Sequence, residues 1–261
     1  AIHVLITGET SGYYEDYVDA PLTLLGRCLA EGFAYQGEPS HHRGGAPRGQ
    51  SSGHLPPVAF ISFLQNHDQV GNRAFGERPT VLAPEEAIGA ALTVLLMAPS
   101  PPLLFMGQEW GSRQPFPFFC DFGDDLREAV TEGRRREFER FPEFSSPEVR
   151  EQIPDPTADA TFASAVLRWT GQAPPDGRRW LQLHQQLLRI RSSALVPHLK
   201  GDDWASGYEI IAKQALHVWW RCPDGAILNL FANLTDRPLL DTVSAPGELL
   251  FAWSAKPEGV S

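Results

Sequence analysis

The sequence predicts an α/β fold over about its first 200 residues, built on parallel strands in a sheet or barrel, with a small antiparallel β module after it. Three observations carry this. Two short apolar runs, residues 58–64 and 102–106, end abruptly in the polar clusters Gln65-Asn66-His67-Asp68-Gln69 and Gly107-Gln108-Glu109-Trp110. Strands buried on both faces read this way where their C-terminal ends open into a site. Between them, Pro84-Glu85-Glu86 opens a helix that runs to Met97 and stops at Pro99, completing a strand–helix–strand unit. From Trp204 onward the apolar period changes to two.

The remaining elements follow in chain order. Ile2, Leu5 and Ile6 suit either a strand or a helix end, whereas Leu22, Leu25, Cys28 and Leu29 keep helical spacing up to Gly32. Residues 37–57 are rich in Gly, Pro, Ser, His and Arg, a loop long enough to be functional or disordered. His41, His42 and His54 lie in it without acids at ligand spacing, so solvated side chains are expected rather than a metal site. A charged helix is expected over 124–141, where Arg134-Arg135-Arg136 with Glu132, Glu137 and Glu139 reads as a solvated face. After a turn at Pro154-Asp155-Pro156, a second helix is expected over 180–193, with Leu181, Leu187, Leu188 and Ile190 as its apolar positions. The β module reads as strands at 208–211, 215–220, 226–230 and 248–251, punctuated by Pro223-Asp224-Gly225 and Asp236-Arg237-Pro238. Trp219 and Trp220 cannot both face one core, so one belongs to a surface or an interface.

Composition removes several function classes. With hydrophobic residues at 42% and charged residues at 21%, the chain can bury a core. A net charge of −10 and no long basic run exclude a nucleic-acid partner. The longest mainly apolar run, 87–98, is too short for a bilayer, so no membrane partner is expected. Three cysteines without a C-x-x-C pair fit a reducing, cytoplasmic compartment rather than a disulfide scaffold or zinc knuckle. The start at Ala1 has neither an initiating Met nor a basic leader, so the chain reads as beginning inside a longer protein. No G-x-G-x-x-G, P-loop or G-x-S-x-G sequence occurs, which removes the ordinary nucleotide and serine-hydrolase readings.

Asp68 is the leading catalytic candidate, because an acid placed directly after a buried strand has no role in the strand itself. The competing reading is an Asp that caps the next turn. His67, Asn66 and Gln69 beside it offer hydrogen bonds to a hydroxyl-rich ligand. Glu109 follows the second apolar run, with Trp110 as a stacking platform; alternatively it hydrogen-bonds loop amides or pairs with Arg73 or Arg113. Two carboxylates at neighbouring strand ends suit glycoside hydrolysis and would equally suit a hydrated metal ion.

Residues 63–73, Phe-Leu-Gln-Asn-His-Asp-Gln-Val-Gly-Asn-Arg, with Gly76-Glu77-Arg78 beyond them, resemble the fourth sequence motif of the alpha-amylase family of glycoside hydrolases. Ile6-Thr7-Gly8-Glu9 with Gly12-Tyr13-Tyr14, residues 103–110, and 128–138 are also similar to that family, so the resemblance spans essentially the whole chain. It implies the C-terminal part of a (β/α)8 TIM barrel over 1–200 followed by a small antiparallel β-sandwich domain over 201–261. It also implies a retaining hydrolase of α-1,4-glucosidic bonds in an α-glucan such as maltooligosyl trehalose, with Asp68 as transition-state stabiliser and no cofactor. His67 would contact the sugar. The family's nucleophile lies in a G-x-R-x-D sequence and its acid/base Glu lies on another strand, both upstream of the fourth motif. No G-x-R-x-D occurs here, and the family equivalent of Glu9 is not the acid/base. The chain is therefore expected to be a fragment, inactive alone, with the N-terminal part of the barrel as its missing partner. The alternatives are another member of the family, such as a glucan branching enzyme, and a non-catalytic carbohydrate-binding or scaffold remnant.

Overall fold

The computed structural model describes residues 1–169, 177–235, 237, 239 and 247–254. They fall into two compact units, one drawn from Ala1–Leu64, Ala83–Leu103 and Gln182–Ser261, the other from Gln65–Leu82 and Leu104–Leu181.

The core of the first unit is a helix on a sheet. Pro21–Glu31 buries Leu22, Leu25, Gly26, Leu29 and Ala30, one stripe at helical spacing, with Pro21 preset for the first turn. The stripe lies on a three-stranded antiparallel sheet, β1 (Ala205–Ile211), β2 (Ala215–Arg221) and β3 (Ile227–Asn233), in the order β1-β2-β3. Helix and sheet approach so closely at Gly26 that a Cβ there would stand 2.4 Å from the Tyr208 ring. Leu216, Val218 and Trp220 on β2 are fully buried, while Trp219 is partly exposed, so the Trp pair divides between faces as the period of two requires. Trp220 Nε1 donates to Leu29 O at 3.0 Å and Ser206 Oγ to Ala30 O at 2.6 Å. The sheet thereby satisfies carbonyls that the helix leaves unpaired at its C-terminus.

The turn expected at Pro223-Asp224-Gly225 joins β2 to β3, with Gly225 at φ 88°. The β1–β2 turn carries positive φ at Ala212 (48°) and Lys213 (58°), residues that announce no turn in sequence. Part of the turn expected at 236–238 lies outside the described residues. The strand expected at 248–251 is irregular chain with Leu249 largely exposed, since no ladder partner faces it among the described residues.

The expected helix at Glu85–Met97 forms and is buried on nearly all sides. Trp253 lies on it at Gly89 and donates Nε1 to Glu86 O at 2.9 Å. The carbonyls at its C-terminus converge on buried Arg191, which donates to Leu96, Pro99 and Ser100 at 2.9–3.0 Å and also to Ala98. The first residues form a helix, Ile2–Thr7, which settles the open strand-or-helix reading.

The two expected parallel strands shrink to one rung. Pro57–Ala59 is a 3-10 turn, and among the described residues the only pairing is a parallel bridge between Ser62 and Pro102. Ile61 is 65% and Leu103 39% exposed, so neither run is buried on both faces. Among the described residues neither run has a further strand paired beside it, and Pro101 and Pro102 supply no N–H to extend a ladder.

The 37–57 loop is organised around Asp16, whose side chain is fully buried. Its carboxylate accepts from Ser40 Oγ (2.5 Å), the His42 N–H (3.0 Å) and Arg48 Nη1 (2.8 Å). Burial opposes its charge, but these hydrogen bonds hold the carboxyl below its ordinary value.

In the second unit the Asp124–Phe138 helix ends earlier than expected, because Pro142 keeps Phe141 extended. Phe138 joins Ala74 and Ile153 in a small core flanked by Phe75, Phe141 and Phe144. Arg134 departs from the expected solvated face. It is buried, donates to Gly71 O and Arg73 O at 2.8 Å, pairs with Glu137 at 3.0 Å and lies over the rings of Phe118 and Phe138. Its two aromatic neighbours cover a charge that helical spacing alone places in water. The helix expected over 180–193 forms as Gly177–Ile190, its residues from Gln182 onward belonging to the first unit, and is followed there by a π-turn at Arg191–Leu195. Among the described residues no helix is long and apolar enough to cross a membrane.

Candidate active site

Asn66, His67, Asp68 and Gln69 stand at the start of a short helix, His67–Gly71, anchored by buried Val70 and Gly71. Asn66 is its cap: Oδ1 accepts from the Gln69 N–H at 2.8 Å. That assignment bears on Asp68, because the capping role its position could have served is already filled by the residue two before it. The Asp68 side chain is 73% exposed, and its neighbour is the equally exposed His67, with Nε2 3.4 Å from Oδ1. The turn therefore presents an acid, an imidazole and the Gln69 amide to solvent on a fixed backbone.

Glu109 and Trp110 occupy a 3-10 turn, Gln108–Trp110, bounded by Gly107 (φ 87°) and Gly111 (φ 66°). At Gly111 a Cβ would stand 2.3 Å from the Trp180 ring, so both backbone conformation and space demand glycine there. Glu109 and Trp110 are half-buried, and Trp110 meets Trp169 edge-on at 4.9 Å.

Sequence reasoning missed the residue that joins these two turns. Arg78 is completely buried. Its Nη1 donates to the Met106 carbonyl at 2.9 Å and to Gln65 Oε1 at 3.4 Å, and its Nε to the Gln114 carbonyl at 2.7 Å. Gln65 lies three residues before Asp68, and Met106 three before Glu109. One guanidinium thus fixes the entry to both turns, stacked over Phe105 at 5.0 Å. Burial pushes Arg78 down to about 10, against the opposing field of Glu109. Of the two arginines expected as partners of Glu109, Arg73 pairs with Glu77 at 3.3 Å and Arg113 is exposed. The one signal for Arg78 was its place in the extended motif, since a fully buried Arg has no periodic signature. Arg78 Nη2 and both amide atoms of buried Gln108 have no hydrogen-bond partner among the described residues.

Glu9, in another of the motif-like stretches, pairs with His3 at 2.7 Å, and His3 stacks on Tyr14 at 4.2 Å. Among the described residues no group of three or more His, Cys, Asp or Glu is placed to hold a metal ion.

Comparison with known proteins finds relatives along most of the chain. Residues 203–260 match the family described as Domain of unknown function (DUF3459). The chain is 35% identical over 255 residues to a malto-oligosyltrehalose trehalohydrolase of Rhizobium sp. (strain M-11), covering 96% of this chain and 40% of that protein. It is 39% identical over 199 residues to the protein of the same name from Deinococcus radiodurans, covering 75% of this chain and 32% of the relative. A crystal structure of a putative alpha amylase from Salmonella typhimurium superposes with a TM-score of 0.86 at 43% identity, covering 99% of this chain and 43% of that one. The chain thus spans about two fifths of the length of such relatives. It is a relative of the malto-oligosyltrehalose trehalohydrolases, similar over most of its own length to part of theirs.

Proposed function

We propose that this chain is the C-terminal part of a cytoplasmic, retaining glycoside hydrolase of the alpha-amylase family. The enzyme cleaves the α-1,4-glucosidic bond next to the trehalose end of maltooligosyl trehalose and releases trehalose. The observation that carries the reading is the Asp68 carboxylate, held on a capped turn and left exposed beside His67, in a chain related to trehalohydrolases over 96% of its length. In this reading residues 1–200 complete a (β/α)8 barrel with an N-terminal part, and 201–261 form the β-sandwich domain that follows it.

Cleavage passes through an oxocarbenium-like state, which needs a nucleophile, a proton donor and negative charge close to the sugar. Asp68 supplies the last of these, accepting hydrogen bonds from ring hydroxyls and lowering the energy of the developing positive charge. His67 and Gln69 donate to the same sugar, and Glu109 and Trp110 bound the ligand on the second turn. The nucleophile and proton donor belong to the part of the enzyme that holds the G-x-R-x-D sequence. Incubating the longer protein with maltooligosyl trehalose tests this, with proton NMR following the new reducing end. Release of trehalose together with a maltooligosaccharide whose new reducing end is initially the α-anomer is expected; an initial β-anomer contradicts retention, and absence of trehalose contradicts the substrate.

A further inference from the structure

We propose that the groove lined by Trp110, Ser112, Arg113, Gln114, Ala163 and Arg168 is a binding site for a short stretch of neutral α-glucan. The inference rests on the α-glucan reading above and extends it, through the shared Trp110, into a groove that neither Asp68 nor His67 lines. The groove has a volume of about 470 Å³, within the range of roughly 300–1,000 Å³ usual for small-molecule sites.

Its walls are held before any ligand arrives. The Gln114 side chain is used up in doing so: Nε2 donates to Ser164 O at 2.8 Å and to Val166 O, while Oε1 accepts the Arg168 N–H at 3.2 Å. The Gln114 N–H in turn donates to Ser112 Oγ at 3.2 Å. This ties residues 164–168 to residues 112–114.

The chemistry of the lining selects the ligand. Trp169 is 72% exposed and meets Trp110 edge-on, so a large aromatic surface faces water beside the groove. Arg113 and Arg168 are exposed, and among the described residues no carboxylate lines the groove. A pyranose fits this combination: its C–H face covers an indole ring, and its rim of hydroxyls accepts from guanidinium N–H groups. A purely apolar ligand would strand both arginines against its surface.

The test is calorimetric titration of the 261-residue chain with maltotriose, backed by saturation-transfer NMR. Trp169→Ala is expected to weaken binding about tenfold, while Trp169→Phe keeps most of it and Arg113→Ala weakens it severalfold. Equal melting temperatures for these surface variants separate lost binding from lost folding. Unchanged binding in Trp169→Ala would overturn the site and leave the α-glucan reading standing. Failure of the unaltered chain to bind maltotriose, or tighter binding of glucose 6-phosphate, would also overturn it. Maltotriose binding that depends on Trp169, together with no trehalose release by the longer protein, would sustain the groove and defeat the catalytic reading.

Discussion

Two aspartates, one in each compact unit, show how differently the same side chain can be used. Asp16 is sealed from solvent and meets three donors from a loop 24 to 32 residues away in sequence. Asp68 is 73% exposed, and among the described residues its carboxylate is paired with its sequence neighbour His67 alone. A buried carboxylate must be paired to be tolerated, so the partners of Asp16 account for it in full. The nearest local task for Asp68, capping the helix, has gone to Asn66. In the proposed reading, what marks Asp68 out is the absence of structural employment on a capped backbone.

The widest gap that this contrast predicts concerns the chain alone. Asp68 cannot replace a nucleophile and a proton donor, so the purified 261-residue chain should release no trehalose from maltooligosyl trehalose above background. Release that Asp68→Asn abolishes would show that the catalytic carboxylates are misplaced.

Stability should respond to the other aspartate. Asp16→Ala leaves Ser40, the His42 N–H and Arg48 without their shared acceptor and should cost about 2–4 kcal/mol in urea melts. Its pH dependence has a definite sign. The folded carboxyl lies below its ordinary value, so its contribution is complete above the ordinary aspartate range and is lost as pH falls through the folded value. The stability difference between the unaltered chain and Asp16→Ala should therefore be full near neutrality and shrink below about pH 4. A difference that grows on acidification would contradict the hydrogen-bonded carboxylate.

The smallest effect sharpens the assignment of the cap. Asn66→Ala should cost about 1 kcal/mol, and Asn66→Asp much less, because aspartate also caps well. Equal losses in both variants would return the capping role to another residue.

The parts of this molecule legible in its sequence are those set by local pattern. The Pro21–Glu31 and Glu85–Met97 helices and the β1–β3 ladder follow from apolar spacing, proline position and the Pro223-Asp224-Gly225 turn. Runs 58–64 and 102–106 carried the composition of buried strands, but pairing depends on neighbours that composition does not specify. Arg78, Arg134 and Arg191 were opaque for a similar reason. Each is buried by carbonyls or rings from segments distant in sequence, Arg191 by some 90 residues, whereas charge patterning places all three in water. At the candidate site the sequence picked out Asp68 and Glu109 directly, while the buried guanidinium that ties their turns together required the fold.

The central claim is the division of labour between the two aspartates, and one paired experiment tests it most directly. Asp68→Asn and Asp16→Asn would be made in the longer protein, and trehalose release and melting temperature measured for each. Asp68→Asn should lower turnover by roughly 10²–10⁴-fold with a nearly unchanged melting temperature, while Asp16→Asn should lower the melting temperature by several degrees. Near-normal turnover in Asp68→Asn, or a melting temperature depressed as far as that of Asp16→Asn, would contradict the account.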